Sequence, residues 1–214
     1  MKEFDLSLYA ILDPRFQRGR DLVEVAQALV RGGATCLQLR DKEAGSQELF
    51  EEVRLLMASL RSLDVPFLVN DRLDIALTVE ADGVHLGEAD IPIREARRVL
   101  GRDKILGASA ASVESAVQAE KDGADYIGFG AVFPTGTKED VQVSGLALLS
   151  RVKQAVSIPV VAIGGIKRTN ALEVLRAGAD GLAVISDLLE APDVEARARE
   201  FRALIDGYRN AKRG

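Results

Sequence analysis

Four short segments gather the residue types that handle phosphorylated molecules, and each follows a run of apolar, β-prone residues. They are Gln38-Leu39-Arg40-Asp41-Lys42, Asn70-Asp71-Arg72, Gly130-Ala131-Val132-Phe133-Pro134-Thr135-Gly136-Thr137-Lys138 and Ile163-Gly164-Gly165-Ile166. Arg40, Lys42 and Lys138 offer a guanidinium and two ammonium groups, a set that can neutralise a diphosphate before it enters a pocket. Asp71 and Asp90 offer hard oxygen ligands. Two carboxylates with substrate phosphate oxygens nearby suit Mg2+, which keeps several of its waters. Residue type alone also allows Asp71 to cap a helix beginning at Arg72. A second phosphate site is expected where Gly164-Gly165 meets Val184-Ile185-Ser186, because bare glycine N–H groups can approach oxygens closely.

These segments need a scaffold that brings strand ends together. Strands are expected at Leu6–Leu12, Thr35–Leu39, Phe67–Asn70, Gly83–Leu86, Ile105–Ala108, Tyr126–Phe129, Val160–Ile163 and Gly181–Ile185. Helical periodicity falls between them at Asp21–Arg31, Glu48–Leu63, Ile91–Leu100, Val113–Asp122, Leu146–Ala155 and Ala171–Ala177, with a last helix from about Asp193 to Tyr208. One phrase recurs: Arg31-Gly32-Gly33-Ala34-Thr35, Glu80-Ala81-Asp82-Gly83, Asp122-Gly123-Ala124-Asp125 and Ala177-Gly178-Ala179-Asp180-Gly181. Each is read as putting a glycine where a helix should stop, just before the next strand. Eight such units without a linker predict an α/β fold, a single-domain (β/α)8 TIM barrel over residues 1–214, in preference to an open doubly wound sheet. Alternation along the strands turns Cys36, Gln38, Arg40 and His85 inward. His85 is read as a packed, hydrogen-bonded residue and not as a general base, and Cys36 as a core thiol.

Composition narrows the classes. With 214 residues, 47% hydrophobic and 29% charged, the chain can bury one sizeable core. Its net charge of −5 and the lack of a Lys/Arg cluster argue against nucleic acid. No apolar run is long enough for a membrane span. The first residues run into a strand-like segment where a signal peptide would otherwise stand, so the cytoplasm is expected. One cysteine excludes an intrachain disulfide. Phosphorylated small molecules are the expected partners, and a homo-oligomer is compatible with the sequence.

Tyr9-Ala10-Ile11-Leu12-Asp13, the Gln38–Lys42 segment, Val69-Asn70-Asp71-Arg72-Leu73-Asp74-Ile75-Ala76, Ala81-Asp82-Gly83-Val84-His85-Leu86-Gly87, the Gly130–Lys138 loop and Ala162-Ile163-Gly164-Gly165-Ile166 resemble the thiamine-phosphate synthase family. The resemblance spans nearly the whole chain in order. It implies a (β/α)8 barrel, and a transferase that joins a hydroxymethylpyrimidine diphosphate to a thiazole phosphate with release of pyrophosphate. By position it implies that Gln38, Leu39, Arg40, Asp41, Lys42, Asn70, Ser109 and Lys138 hold the pyrimidine diphosphate. Arg40, Lys42 and Lys138 would act on the leaving group. Asp71 and Asp90 would bind Mg2+, and Thr135, Gly136, Thr137, Gly165, Ile185 and Ser186 would hold the thiazole phosphate.

Four positions depart from the family pattern. Glu88 stands where glutamine is usual, adding charge near the expected metal. Asp187 follows Ser186, where a carboxylate is unfavourable unless it turns away or pairs with a cation. Ala110-Ala111 replaces a stretch that often holds histidine, and Val143-Ser144-Gly145 replaces a proline-containing turn. Three other functions compete: a thiazole tautomerase-like paralogue, a barrel using Lys138 as a Schiff-base lysine, and a non-catalytic ligand-binding barrel.

Overall fold

The computed structural model describes residues 4–136 and 143–213. Eight parallel strands close in sequence order into one barrel: β1 (Leu8–Leu12), β2 (Cys36–Leu39), β3 (Phe67–Asn70), β4 (Gly83–Leu86), β5 (Ile105–Ala110), β6 (Tyr126–Phe129), β7 (Val160–Ile163) and β8 (Gly181–Val184). The connecting helices are α1 (Leu22–Arg31), α2 (Ser46–Leu60), α3 (Leu73–Thr78), α4 (Ile93–Leu100), α5 (Val113–Lys121), α6 (Gly145–Ala155), α7 (Ala171–Arg176), α8 (Ser186–Leu189) and α9 (Val194–Arg213). The closed order, with β1 paired to β8, excludes the open sheet. Among the described residues no helix is long and apolar enough to cross a membrane.

The core lies between barrel and helices. Leu12, Leu37, Val69, Val84, Leu106, Ile127 and Leu182 are fully buried, as strands covered on both faces require. The last helix runs beyond its expected end. Ala198, Phe201 and Ile205 form its buried stripe, and its final turns are tied down where Tyr208 Oη donates to Leu175 O and Arg209 donates to Asp180 O. Cys36 is fully buried, a core thiol whose pKa burial pushes well up.

The recurrent phrase does more than stop helices. Its last polar residue precedes each even strand and stitches that strand to the one before. Thr35 Oγ1 accepts the N–H of Leu8, Asp82 Oδ2 that of Phe67, Asp125 Oδ2 that of Leu106, and Asp180 Oδ2 that of Val160. In return the N–H groups of Thr35, Asp82, Asp125 and Asp180 donate to the carbonyls of those same four residues. Strand ends leave N–H groups unpaired, and a short polar side chain satisfies each one at the N-terminal face of the barrel. Arg97 and Lys153 complete two of these stitches through ion pairs with Asp125 at 2.5 Å and Asp180 at 2.7 Å.

Candidate active site

At the opposite, C-terminal face, the strand ends surround a cavity of about 660 Å³. Gln38, Arg40, Lys42, Asn70 and Asp71 line it from β2, β3 and the loops that follow them. Asp90 and Ser109 lie on the same wall, and Thr135, Gly165, Ile185 and Ser186 line the other part. The barrel thus brings together residues far apart in the chain, as both sets of expectations require. Leu39 and Asp41 are not in the wall. Leu39 is buried on the other face of β2, and Asp41 Oδ1 turns back to accept the N–H groups of Glu43 and Ala44. Gly136 also stands outside the lining, and Thr137 and Lys138 lie outside the described residues.

Asp71 does not cap a helix. Arg72 holds the cap position of α3, without a side-chain hydrogen bond, and Asp71 sits one residue too early. Its backbone has φ +63°, the left-handed region that a non-glycine residue seldom adopts. Its carboxylate meets Lys42 Nζ at 2.6 Å. Burial pushes the Asp71 pKa up, but Lys42 and a hydrogen bond with Asp90 outweigh it, so the group lies below the usual carboxylate range. Asp90 moves the opposite way, raised by burial and by Asp71, although the Gly87 N–H that it accepts at 2.6 Å pulls it down. Two carboxyls held this close repel unless a proton or a cation lies between them. A hard divalent ion fits that donor set. Among the described residues no three His, Cys, Asp or Glu side chains cluster as metal ligands, so the remaining positions would fall to water and substrate oxygens.

Arg40 is held differently. It is 8% exposed, and its Nη1 donates to Asp13 Oδ2 at 2.6 Å. Asp13 in turn takes Arg15 Nε at 3.0 Å and Nη2 at 2.8 Å. Burial raises the Asp13 carboxyl, but Arg15 and Arg40 together hold it below the ordinary range. Asp13 therefore fixes the direction of the Arg40 guanidinium at the cavity wall. The sequence analysis quotes Asp13 within a motif but gives it no role; its position just beyond the first strand, with arginine two residues on, is the available signal.

The loops expected to form a second anion site interlock. Gly164 and Gly165 have φ +96° and +64°. A Cβ on Gly164 would stand 2.6 Å from Ala131 Cα, and one on Gly165 would stand 2.5 Å from Pro134 O. Only glycine allows the loop after β7 to pack against the loop after β6 in this way. Asp187 turns away from the cavity: its Oδ1 takes Arg197 Nη1 at 2.9 Å and its Oδ2 takes the Arg168 N–H at 2.9 Å. The unfavourable carboxylate is thus paired with a cation. Glu88 reaches across the rim, where Oε1 accepts the Ala111 N–H at 3.2 Å.

The barrel interior below is polar. His85 contacts Tyr126 Oη through Nδ1 at 2.9 Å and Ser109 Oγ through Nε2 at 3.0 Å, so it is packed and hydrogen-bonded as expected, while also lining the cavity. Two glycines make room for these rings. A Cβ on Gly107 would lie 2.2 Å from Tyr126 Cζ, and one on Gly128 would lie 2.7 Å from His85 Cε1. Tyr9 and Tyr126 escaped the sequence reading, although strand alternation could have turned them inward.

Similarity to known proteins agrees with this geometry. Residues 8–188 match the family described as thiamine monophosphate synthase. A thiamine-phosphate synthase from Methanocella arvoryzae is 51% identical over 203 residues, covering 94% of this chain and 96% of the relative. One from Syntrophomonas wolfei is 48% identical over 205 residues, covering 95% and 98%. The solved structure of thiamine phosphate pyrophosphorylase from Pyrococcus furiosus superimposes with a TM-score of 0.87 at 45% identity, covering 95% of this chain and 96% of its own. The match runs over most of the chain, and this chain belongs to the thiamine monophosphate synthase family.

Proposed function

We propose that this chain is a thiamine-phosphate synthase, a transferase that moves a pyrimidine methylene group from diphosphate to a thiazole nitrogen. The observation that carries the reading is one cavity with two different ends. Arg40, Lys42, Asp71 and Asp90 gather at one part of its wall, and Gly165, Ile185 and Ser186 at another. Two phosphorylated substrates can therefore be anchored by their charges, with their reactive atoms between. Anchoring at both ends supplies the orientation that a bimolecular step otherwise lacks.

In the reaction the methylene carbon–oxygen bond breaks and its electron pair leaves with pyrophosphate. The electron-rich aminopyrimidine carries the resulting positive charge until the thiazole nitrogen forms the new carbon–nitrogen bond. That nitrogen bears no proton, so no strong general base is required, in keeping with a histidine held in the barrel floor. Arg40 and Lys42, with Lys138 as a third cation, stabilise charge growing on the leaving oxygens. Arg40 is suited to this because Asp13 fixes its fork before substrate arrives. Lys42, paired with Asp71 at 2.6 Å, links the leaving-group site to the carboxylates. Asp71 and Asp90 would hold Mg2+, which when bound supplies further charge for the diphosphate oxygens. Gln38, Asn70 and Ser109 complete the pyrimidine side, with any part played by Leu39 and Asp41 falling to their backbone. Thr135, Gly136 and Thr137 belong with the thiazole phosphate.

The test supplies both purified substrates and measures products. Thiamine phosphate and pyrophosphate in equal amounts, with none when either substrate is omitted, is the expected result. Substrate consumed without pyrophosphate would favour the tautomerase-like reading. Binding without turnover would favour a non-catalytic barrel.

A further inference from the structure

The loop after β7 and the start of α8 share one wall of the cavity, which Gly164, Gly165 and Ile166 line together with Ile185 and Ser186. Two successive glycines give that loop little stiffness of its own, so its place must come from ties to its surroundings. On one side Gly164 O accepts the Phe133 N–H at 3.1 Å. Asn170 closes the loop on itself: Nδ2 donates to Gly165 O at 3.0 Å, and Oδ1 accepts the Lys167 N–H at 2.7 Å. On the other side Asp187 Oδ2 accepts the Arg168 N–H at 2.9 Å. Among the described residues this is the only hydrogen bond between residues 164–170 and α8.

The helix end of this tie is firm. Leu188 and Leu189 are buried, and Arg20 donates to Leu189 O and, at 2.9 Å, to Ala191 O. Asp187 therefore places the loop on α8, and not the reverse. Its other oxygen takes Arg197 Nη1 at 2.9 Å, while Glu200 Oε2 lies 3.3 Å from Arg197 Nε and 3.4 Å from Arg168 Nε. Two acids and two bases leave no net charge beside the expected phosphate. Both partners of Asp187 are donors, so only a side chain with two acceptor oxygens serves both.

We propose that Asp187 is a positioning residue for the thiazole phosphate: it ties Arg168 to α8 and so holds Gly165 in register with Ser186 before substrate binds. Asn170 carries the constraint from Arg168 to Gly165 within the loop. A wall already in place spares the substrate the cost of ordering it. The identity of the ligand rests on the synthase reading, which this proposal deepens.

Asp187→Asn keeps the shape but offers one acceptor to two donors. Losing a negative charge would by itself favour a phosphate, so a loosened loop and an altered field act with opposite signs. The expected result is a KM for thiazole phosphate raised about fivefold, with kcat and the KM for the pyrimidine diphosphate within about twofold of wild type. An unchanged or lower thiazole KM overturns the proposal. With the thiazole alcohol, the same substrate lacking its phosphate, wild type and variant should differ by less than about twofold, and an equal loss contradicts action at the phosphate. Adding Arg197→Met removes one donor and frees the amide oxygen for the Arg168 N–H, so the double variant should return to within about twofold of wild type. A double variant no better than Asp187→Asn refutes the tie. Calorimetry with thiazole phosphate should give the same order of affinities without turnover. Weaker binding by Asp187→Asn, with no pyrophosphate release from wild type, would overturn the synthase reading alone. Full turnover with an unchanged affinity for thiazole phosphate would overturn this proposal alone.

Discussion

Aspartates at the two ends of the barrel do opposite work. At the N-terminal face, Asp82, Asp125 and Asp180 spend their oxygens on backbone N–H groups of the neighbouring strand. At the C-terminal face, Asp71 and Asp90 crowd one another on a cavity wall, and Asp71 does so with a strained backbone. One set satisfies groups that folding would otherwise strand. The other set accepts repulsion and strain, as a ligand-binding rim can. On the proposed function, the same side chain is structural or functional according to which end of a strand it follows.

Substitution at the two ends should separate activity from stability. The widest gap is expected between Asp71→Ala and Asp125→Ala. The first should lower kcat by roughly a hundredfold or more, with little change in melting temperature. The second should keep kcat within about twofold at a permissive temperature and cost about 2 kcal/mol, read as a lower Tm. A large loss of kcat in folded Asp125→Ala would erase the distinction.

Asp13 sits between the two behaviours, because it lies at the functional end yet is buried in an ion pair. Asp13→Asn should destabilise by about 3 kcal/mol at pH 7, since it leaves the buried Arg40 charge without its partner, and should also reduce kcat. The sign with pH follows from the lowered carboxyl pKa in the fold. The stabilisation is fully present above the unfolded carboxylate value of about 4 and is lost as pH falls through the lower folded value. Melting curves of wild type and Asp13→Asn should therefore begin to approach each other below about pH 4 and meet only once the pH is below the folded carboxyl value. Curves that stay separated there would show that packing and not charge makes the difference.

Asp90→Asn gives a smaller and sharper contrast. The raised pKa of Asp90 means that its ionised form is unfavourable in the fold, so the amide should raise Tm at neutral pH by roughly 2 °C while turnover falls. A drop in both would place Asp90 with the structural aspartates. The least effect is expected at Arg94, whose ion pair with Asp122 lies on the outer surface. Arg94→Ala should change stability by less than about 0.5 kcal/mol and leave kcat alone.

The barrel itself was open to sequence reading because period switching repeats eight times, and a repeated signal survives errors of one or two residues at each boundary. The rim residues were readable because they follow strand ends. What escaped was the pairing between them. Arg40 reads as a cation in sequence, but its direction is set by Asp13, 27 positions away. By residue type alone Asp71 reads more readily as a cap, and only the placement of α3 one residue later removes that reading. The aspartates of the recurrent phrase looked incidental beside its glycines, since their partners are N–H groups of another strand, which no local pattern displays. Asp187 departs from the family pattern and is made harmless by Arg197, ten residues on, a compensation visible only in three dimensions.

The most direct test follows pyrophosphate release with both substrates while Mg2+ is titrated, in wild type, Asp71→Ala and Asp125→Ala. Release in wild type and Asp125→Ala should rise along the same saturating curve, and Asp71→Ala should need far more ion and reach a much lower rate. If Asp71→Ala follows the wild-type curve at limiting Mg2+, the carboxylates of the C-terminal rim do not hold the ion, and the division of labour between the two ends of the barrel is wrong.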